Sequence, residues 1–407
     1  MAAGERSLRM DILSIYVPSF FIFLGMSIIS PILPIYAESF NVSYTLVSLA
    51  VSMYAFGRFL ADVPVGLLAD KVGRRLLMVL GTLILTVCSF LNATAPTFAL
   101  FLLYRLLEGV GSAMWMTSRT TLLADILKPE ERGRVMSYFQ AFMLLGSSAG
   151  PTIGGFIATA YDLRAPFYAY AAVGVLSLAL TFFLIHDPEG VVKKHGEGTG
   201  FSWPQVKRLL SNSSFSMACL ATFTIFFMRT GIRSTIIPLY ADSVLHLDAD
   251  AIGIVISCAT ITNLIVTIPV GHAIDYYGRK PIIVITLVIT ALSTLLFPFT
   301  TSFITICAAA VVLGIGTGGA GQAPLALATD AAINEPHGLS MGVYRLFGDV
   351  GFVIGPLLLG FIADNSNLSM PFYVTTAIIV VNVVLVQLFA KETYSRRRAE
   401  ATVAPPE

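Results

Sequence analysis

Long apolar runs, broken by short polar or Gly/Pro-rich turns, recur from one end of the chain to the other. Reading the runs between breaks gives twelve segments, at approximately 11–37, 44–69, 76–95, 99–125, 135–160 and 166–186, then 213–241, 249–274, 281–299, 303–330, 339–364 and 370–390. Each approaches or exceeds the ~20 residues a helix needs to cross a bilayer, where only helices and closed barrels satisfy their own backbone polar groups. The predicted class is an all-α membrane protein of twelve transmembrane helices. The longest polar stretch, 187–212, holds Lys193, Lys194, Gly196, Gly198 and Gly200 before a Trp203-Pro204 start that suits a short surface helix. It is the natural linker between an N-terminal six-helix bundle (1–186) and a C-terminal one (213–390), with a tail at 391–407.

Composition agrees with the pattern. Hydrophobic residues are 56% of the chain and charged residues 12%, about half the roughly 25% charge of soluble domains. A formal net charge of +1 gives no overall attraction to nucleic acid. The placement of charge is more informative than its sum. With the N-terminus inside, the inner segments hold 18 of the 25 Lys and Arg, the outer loops hold only Arg164, and the remaining six lie within spans. The positive-inside rule then places both termini in the cytoplasm of a cell membrane. The first apolar run follows Arg6, Arg9 and Asp11 without a small-residue cleavage site, so it is expected to stay as helix 1. Cys88, Cys219, Cys258 and Cys307 stand singly in apolar segments and read as core residues. The five histidines form no ligand cluster, so no metal is expected, and no cofactor either. No Gly-Lys-Ser/Thr phosphate loop is present, which excludes ATP held on this chain as the energy source. An enzyme is not expected.

The two halves repeat. Helix 2 runs into Gly66-Leu-Leu-Ala-Asp70-Lys-Val-Gly73-Arg74-Arg75, and helix 8 into Gly271-His-Ala-Ile-Asp275-Tyr-Tyr-Gly278-Arg279-Lys280, 205 residues later. At the same offset Gly109 matches Gly314, Gly111 matches Gly316, Asp125 matches Asp330, Gly146 matches Gly351 and Gly150-Pro151 matches Gly355-Pro356. Six spans per half is an even number, so the halves share one orientation, as parallel repeats about an axis along the membrane normal. On these residues the chain resembles the major facilitator superfamily over nearly its whole length. Gly66 to Arg75 resembles that family's signature loop between helices 2 and 3. Arg105-Leu-Leu-Glu108-Gly109 is similar to a helix 4 motif of proton-coupled members, with Glu108 where Gln is usual. Gly146-Ser-Ser-Ala-Gly150-Pro151-Thr-Ile-Gly154-Gly155 resembles the helix 5 motif of the drug:proton antiporter branch. The resemblance implies a major facilitator fold of two pseudo-symmetric bundles around a central cavity.

Charges inside the spans each cost several kcal/mol unless paired or facing water. Arg58 and Asp62, Arg229 and Arg233, and Arg345 and Asp349 are four apart, while Arg105 and Glu108 are three apart, so each pair shares a helix face. By depth, Arg58, Asp62, Arg119, Arg345 and Asp349 fall near the signature loops. With Gly66, Asp70, Gly73, Arg74, Asp275, Gly278 and Arg279 they are expected to form a cytoplasmic gate, a direct substrate or proton role being the alternative. In the loops, Asp70 can pair with an Arg or cap a helix N-terminus, and Gly66 and Gly73 allow a tight turn and close approach. Arg105, Glu108, Ser112 and Trp115 lie on one stripe of helix 4 and, with Arg229 and Arg233 of helix 7, are the expected substrate-cavity residues. Trp115 can equally be a packing residue, and Arg105 and Glu108 a structural pair. Glu108 is the first candidate for the proton carrier, with Asp62 and Asp349 next. In helix 5, Gly146, Gly150, Gly154 and Gly155 form a smooth packing groove and Pro151 a kink.

Proton-coupled efflux of small lipophilic or amphipathic compounds by alternating access is the leading expectation. An organic anion or metabolite exchanger or uptake transporter is the alternative, and a non-transporting membrane sensor the third. The expected partners are a small-molecule substrate, protons and the lipid bilayer, with no nucleic acid, and the expected state is a monomer.

Overall fold

The structure, a computed structural model, describes residues 3–126, 129–185, 203–333, 335 and 337–393. All secondary structure among them is helical. The main helices are α1 (Ala3–Ile28), α2 (Tyr44–Val72), α3 (Arg74–Ala93), α4 (Phe98–Ile126), α5 (Pro129–Ala160) and α6 (Ala165–Leu184) in the first half. In the second half they are α7 (Ser213–Met228), α8 (Ala249–Tyr277), α9 (Arg279–Leu296), α10 (Phe303–Thr317), α11 (His337–Asn365) and α12 (Met370–Phe389). Ten stretches of these, some running on through short helices, are long and apolar enough to cross a membrane, and Ser14–Ile28 is a shorter apolar helix. Short helices at Leu33–Glu38, Ile237–Ser243 and Gln322–Ala331 continue α1, α7 and α10, and Trp203–Ser211 precedes α7.

Two spans that read as continuous are broken, each for a local reason. Chain 29–32 is a turn at the end of α1, where Pro31 and Pro34 each lack the N–H that an unbroken helix needs. After α10 the chain turns through 318–321, where Gly318, Gly319 and Gly321 hold a helix weakly, before Gln322. Helix starts are capped by short polar side chains. Ser43 accepts from the Leu46 amide at α2, Asn212 accepts from the Ser214 and Phe215 amides at α7, and Ser302 forms a capping box with Thr305 at α10.

The duplication seen in sequence is repeated in packing. In the first half α1 packs on α5, α3 on α6 and α3 on α4; in the second, α7 packs on α11, α9 on α12 and α9 on α10. Individual contacts repeat as well. Gly109 of α4 lies against the Tyr54 carbonyl of α2, and Gly314 of α10 against the Ala259 carbonyl of α8, both pairs shifted by the same 205 residues. Gly73 and Gly278, in the α2–α3 and α8–α9 turns, have φ of 93° and 99°. An L side chain rarely adopts that region, so these two positions require glycine. Pro64 and Pro269 lie inside α2 and α8, and Pro151 and Pro356 inside α5 and α11.

Two compact units result: Met1–Gly198 with Ala241–Ser257, and Thr199–Tyr240 with Cys258–Glu407. With lipid as solvent, no hydrophobic force drives helix on helix, and packing and polar ties do the work. In the first unit the Ser177 hydroxyl of α6 donates to the Pro18 carbonyl of α1 at 3.0 Å. In the second the Asn382 amide of α12 donates to Thr224 Oγ1 of α7 at 2.6 Å.

Candidate functional site

Within the first unit α4 carries a buried ion pair. Arg105 Nη1 lies 2.6 Å from Glu108 Oε2, and the two residues are 5% and 1% exposed. The three-residue spacing on α4 brings them to one face. Neighbouring helices complete the shell: Asn92 Nδ2 of α3 donates to Glu108 Oε2 at 3.0 Å, and Arg105 Nε donates to the Ala50 carbonyl of α2 at 3.3 Å. The guanidinium also stands 5.0 Å from the centre of the Tyr54 ring. One turn along α4, Ser112 Oγ accepts from the Tyr54 hydroxyl at 2.6 Å. Arg105, Glu108 and Ser112 thus meet in one polar cluster with Tyr54 and Asn92. Neither partner residue was singled out from sequence. Their signal was a single Asn in one apolar span and a mid-span Tyr in another.

Trp115 and Arg119 form a separate cluster. The Arg119 guanidinium is 4.7 Å from the Trp115 ring centre and 4.3 Å from that of Phe139 on α5. Trp115 is 1% exposed and meets Phe23 of α1 edge-on. Its ring is packed against Phe23 and the Arg119 guanidinium. Arg119 is 5% exposed and makes no ion pair among the described residues. Asp62 of α2 accepts from the Thr117 hydroxyl of α4 at 3.2 Å.

In the second unit α7 does not continue as an α-helix. Residues Arg229–Ile236 form a π-helical segment, marked by hydroxyl bonds from Ser234 to the Arg229 carbonyl and from Thr235 to the Thr230 carbonyl, five residues back. Such segments are rare and concentrate at functional sites. One side is fixed against α11, where Gly231 meets the Gly355 backbone and the Thr230 hydroxyl donates to the Phe352 carbonyl at 3.1 Å. The other side carries Arg229, exposed, and Arg233, partly exposed, with Arg233 Nη2 donating to Thr260 Oγ1 of α8 at 3.1 Å. Eight residues are too few for a sequence period to separate this geometry from an α-helix.

The turn regions differ from expectation in one respect. At the α8–α9 turn Asp275 is exposed and has no partner among the described residues. The amides that start α9, those of Arg279 and Lys280, instead donate to the Glu392 carboxylate at 3.1 and 2.9 Å. Arg279 Nε lies 3.0 Å from Asp330 Oδ2, and Asp330 also accepts from the Thr393 hydroxyl at 2.9 Å. Asp330 was visible as a repeat partner of Asp125, and nothing local marks Glu392. At the α2–α3 turn Arg74 is buried, and Arg75 Nη2 donates to the Phe182 carbonyl at 2.7 Å. The side chain of Asp70 lies outside the described residues. Gly66 lies inside α2 with its nearest neighbour, Thr117, at van der Waals distance, so no close approach occurs there. Arg58 is partly exposed on α2. On α11, Arg345 is exposed and makes no ion pair among the described residues, and Asp349 is partly exposed.

The helix 5 glycines all meet backbone or short side chains. Gly146 lies against Phe20, Gly150 against Ser27 and Gly154 against Ile28 of α1, while Gly155 lies against Ala249 at the start of α8. Beside Pro151, Ser257 Oγ of α8 accepts from the Thr152 amide at 3.1 Å and donates to the Ser148 carbonyl at 3.2 Å. A cleft of about 500 Å³ elsewhere in this unit is lined by residues that include Tyr36, Phe40, Asp162 and Arg164. Tyr36 donates to the Asn92 carbonyl at 3.0 Å, which ties the cleft lining to the residue that also donates to Glu108.

Duplicated units of long apolar helices, with an Arg–Glu pair buried inside one of them, define a polytopic helical membrane protein. The Major Facilitator Superfamily profile matches residues 15–249 and 218–405, and the chain belongs to that superfamily. It is 27% identical over 379 residues to the quinolone resistance protein NorA of Staphylococcus aureus, covering 92% of this chain and 95% of that protein. An uncharacterized MFS-type transporter of Methanocaldococcus jannaschii is 26% identical over 369 residues, 89% and 93% of the two chains. Among solved structures, a bacterial homolog of the human lysosomal transporter Spinster, inward-facing and unoccupied, superposes with a TM-score of 0.79 at 15% identity over 96% of this chain and 99% of that one. A D-xylose-proton symporter gives 0.74 at 15% identity, over 94% and 99%. At these identities the structures show the fold, which is the twelve-helix major facilitator fold expected from the repeat.

Proposed function

We propose that this secondary transporter couples protons to the export of small lipophilic or amphipathic compounds by alternating access. The observation that supports the reading most is the Glu108 carboxylate, buried inside the first unit with Arg105 as its cation and Asn92 as its second donor. A carboxyl held by one removable cation can exchange its proton whenever that cation is drawn elsewhere. Asp62 and Asp349 are the further proton-handling candidates. The likeness to a quinolone resistance protein supports export of drug-like compounds.

In this reading the six-helix bundles are 1–186 and 213–390, joined by a cytoplasmic linker, and both termini face the cytoplasm from a cell membrane, by the distribution of Lys and Arg. The protein works as a monomer. The α2–α3 and α8–α9 turns form the cytoplasmic gate, with Arg279 and Asp330 as one of its ties. The second reading, exchange or uptake of an organic anion, is favoured by the arginines of the π segment.

Reconstituted protein under an imposed proton gradient tests the proposal. Glu108→Gln is expected to keep the fold, judged by circular dichroism and a single elution peak, and to abolish gradient-driven export of drug-like amphipathic compounds. Unchanged export in that variant removes Glu108 from the coupling. Transport that ignores the gradient in the parent protein removes proton coupling altogether.

A further inference from the structure

Arginine inside a membrane protein is kept where something balances it, and Arg233 lacks that balance. Its guanidinium offers five N–H donors in a planar fork. Among the described residues one of its nitrogens, Nη2, has an acceptor, the Thr260 hydroxyl, while Nε is buried without a partner. No carboxylate pairs with it among those residues. The nearest charge along the helix, Arg229 four residues earlier, has the same sign. The π segment that carries both is held to α11 by its Gly231 and Thr230 side, which leaves the arginine side as the accessible one. Pro34 and Tyr36 match Pro238 and Tyr240, 204 residues later, and at that offset Arg229 and Arg233 stand where the first half has Gly25 and Ile29, so the cationic site is not part of the duplicated scaffold.

We infer that Arg233, with Thr260 beside it and Arg229 on the same face, is an anion site that anchors the carboxylate of an amphipathic substrate. The inference rests on the proposed transport of amphipathic compounds and narrows it to those bearing an acidic group. A carboxylate suits the planar, charged fork of a guanidinium, whose donors here are not taken up by any carboxylate among the described residues. Arg229 adds attraction for the approaching anion at longer range.

Binding measured on the detergent-purified full chain at fixed pH tests this without any gradient, so it stands or falls separately from proton coupling. The probes are 2-naphthoate and its neutral isostere 2-naphthamide, titrated calorimetrically. Wild-type protein is expected to prefer the acid by at least ~10-fold, about 1.4 kcal/mol. Arg233→Gln is expected to bring the two within ~2-fold while keeping the amide affinity, and Arg233→Lys to restore part of the preference. Equal affinities in the wild type, no binding of naphthoate, or an undiminished preference in Arg233→Gln overturns the assignment. Should Arg233→Gln fail to fold, the wild-type preference and its loss in Arg229→Gln decide the question.

Discussion

The Arg105–Glu108 pair can be dissected by a double-mutant cycle, because its contacts are few. Arg105→Gln leaves Glu108 buried with Asn92 as its remaining donor. Removing one partner of a buried ion pair costs about 3–5 kcal/mol, because the charge left behind is neither hydrated nor paired. Glu108→Gln is milder. Arg105 keeps the Ala50 carbonyl and the Tyr54 ring, and the new amide oxygen can still accept, so a loss of about 1–2 kcal/mol follows. In the double variant two neutral amides replace two charges, and the cost should fall below that of Arg105→Gln alone. The singles together therefore exceed the double by more than the about 1–2 kcal/mol of Glu108→Gln, above the ~0.5 kcal/mol of independent sites. Unfolding in mixed micelles with increasing sodium dodecyl sulfate, followed by circular dichroism, measures each corner of the cycle. Additive losses would refute the reasoning, since they would mean that the two side chains do not depend on each other.

Other outcomes follow from close contacts. Gly109→Ala and Gly314→Ala should each lower stability by about 1–3 kcal/mol in the same assay, because the added carbon meets the Tyr54 or Ala259 carbonyl; Gly66→Ala, whose added carbon meets only Thr117 at van der Waals distance, should not. Ser257→Ala removes the hydroxyl set between Thr152 and Ser148, and a loss of about 1–2 kcal/mol is expected, with no loss arguing that the α5 groups re-pair on their own. Glu392→Ala should speed hydrogen exchange at the Arg279 and Lys280 amides, read by mass spectrometry, while leaving the Arg74 and Arg75 amides unchanged.

Much of the fold was legible because membrane helices must be apolar and a duplication preserves offsets. Gly109 and Gly314, or Gly73 and Gly278, keep the same role in both halves, so a residue count exposes them. The pairing of Arg105 with Glu108 followed from helical spacing alone. What stayed hidden depends on partners far apart in sequence or on small departures from regular geometry. Asn92 and Tyr54 reach the pair from two other helices, and Glu392 reaches α9 across 113 residues. Trp115 was ambiguous because a stripe on one helix does not say which neighbour covers it, and the covering ring and cation come from Phe23 and Arg119. The π segment was hidden for a different reason: one extra residue per turn changes no residue type.

The capping of α9 by Glu392 bears on how the protein is handled. Residues 391–393 act as a clasp on the second unit, so an affinity tag or fluorescent fusion joined directly after Phe389 would strip that helix of its terminal anion and Asp330 of its threonine. Joining the fusion beyond Thr393 through a spacer keeps the clasp whole, and reporter signals then reflect the transporter itself and not a loosened end.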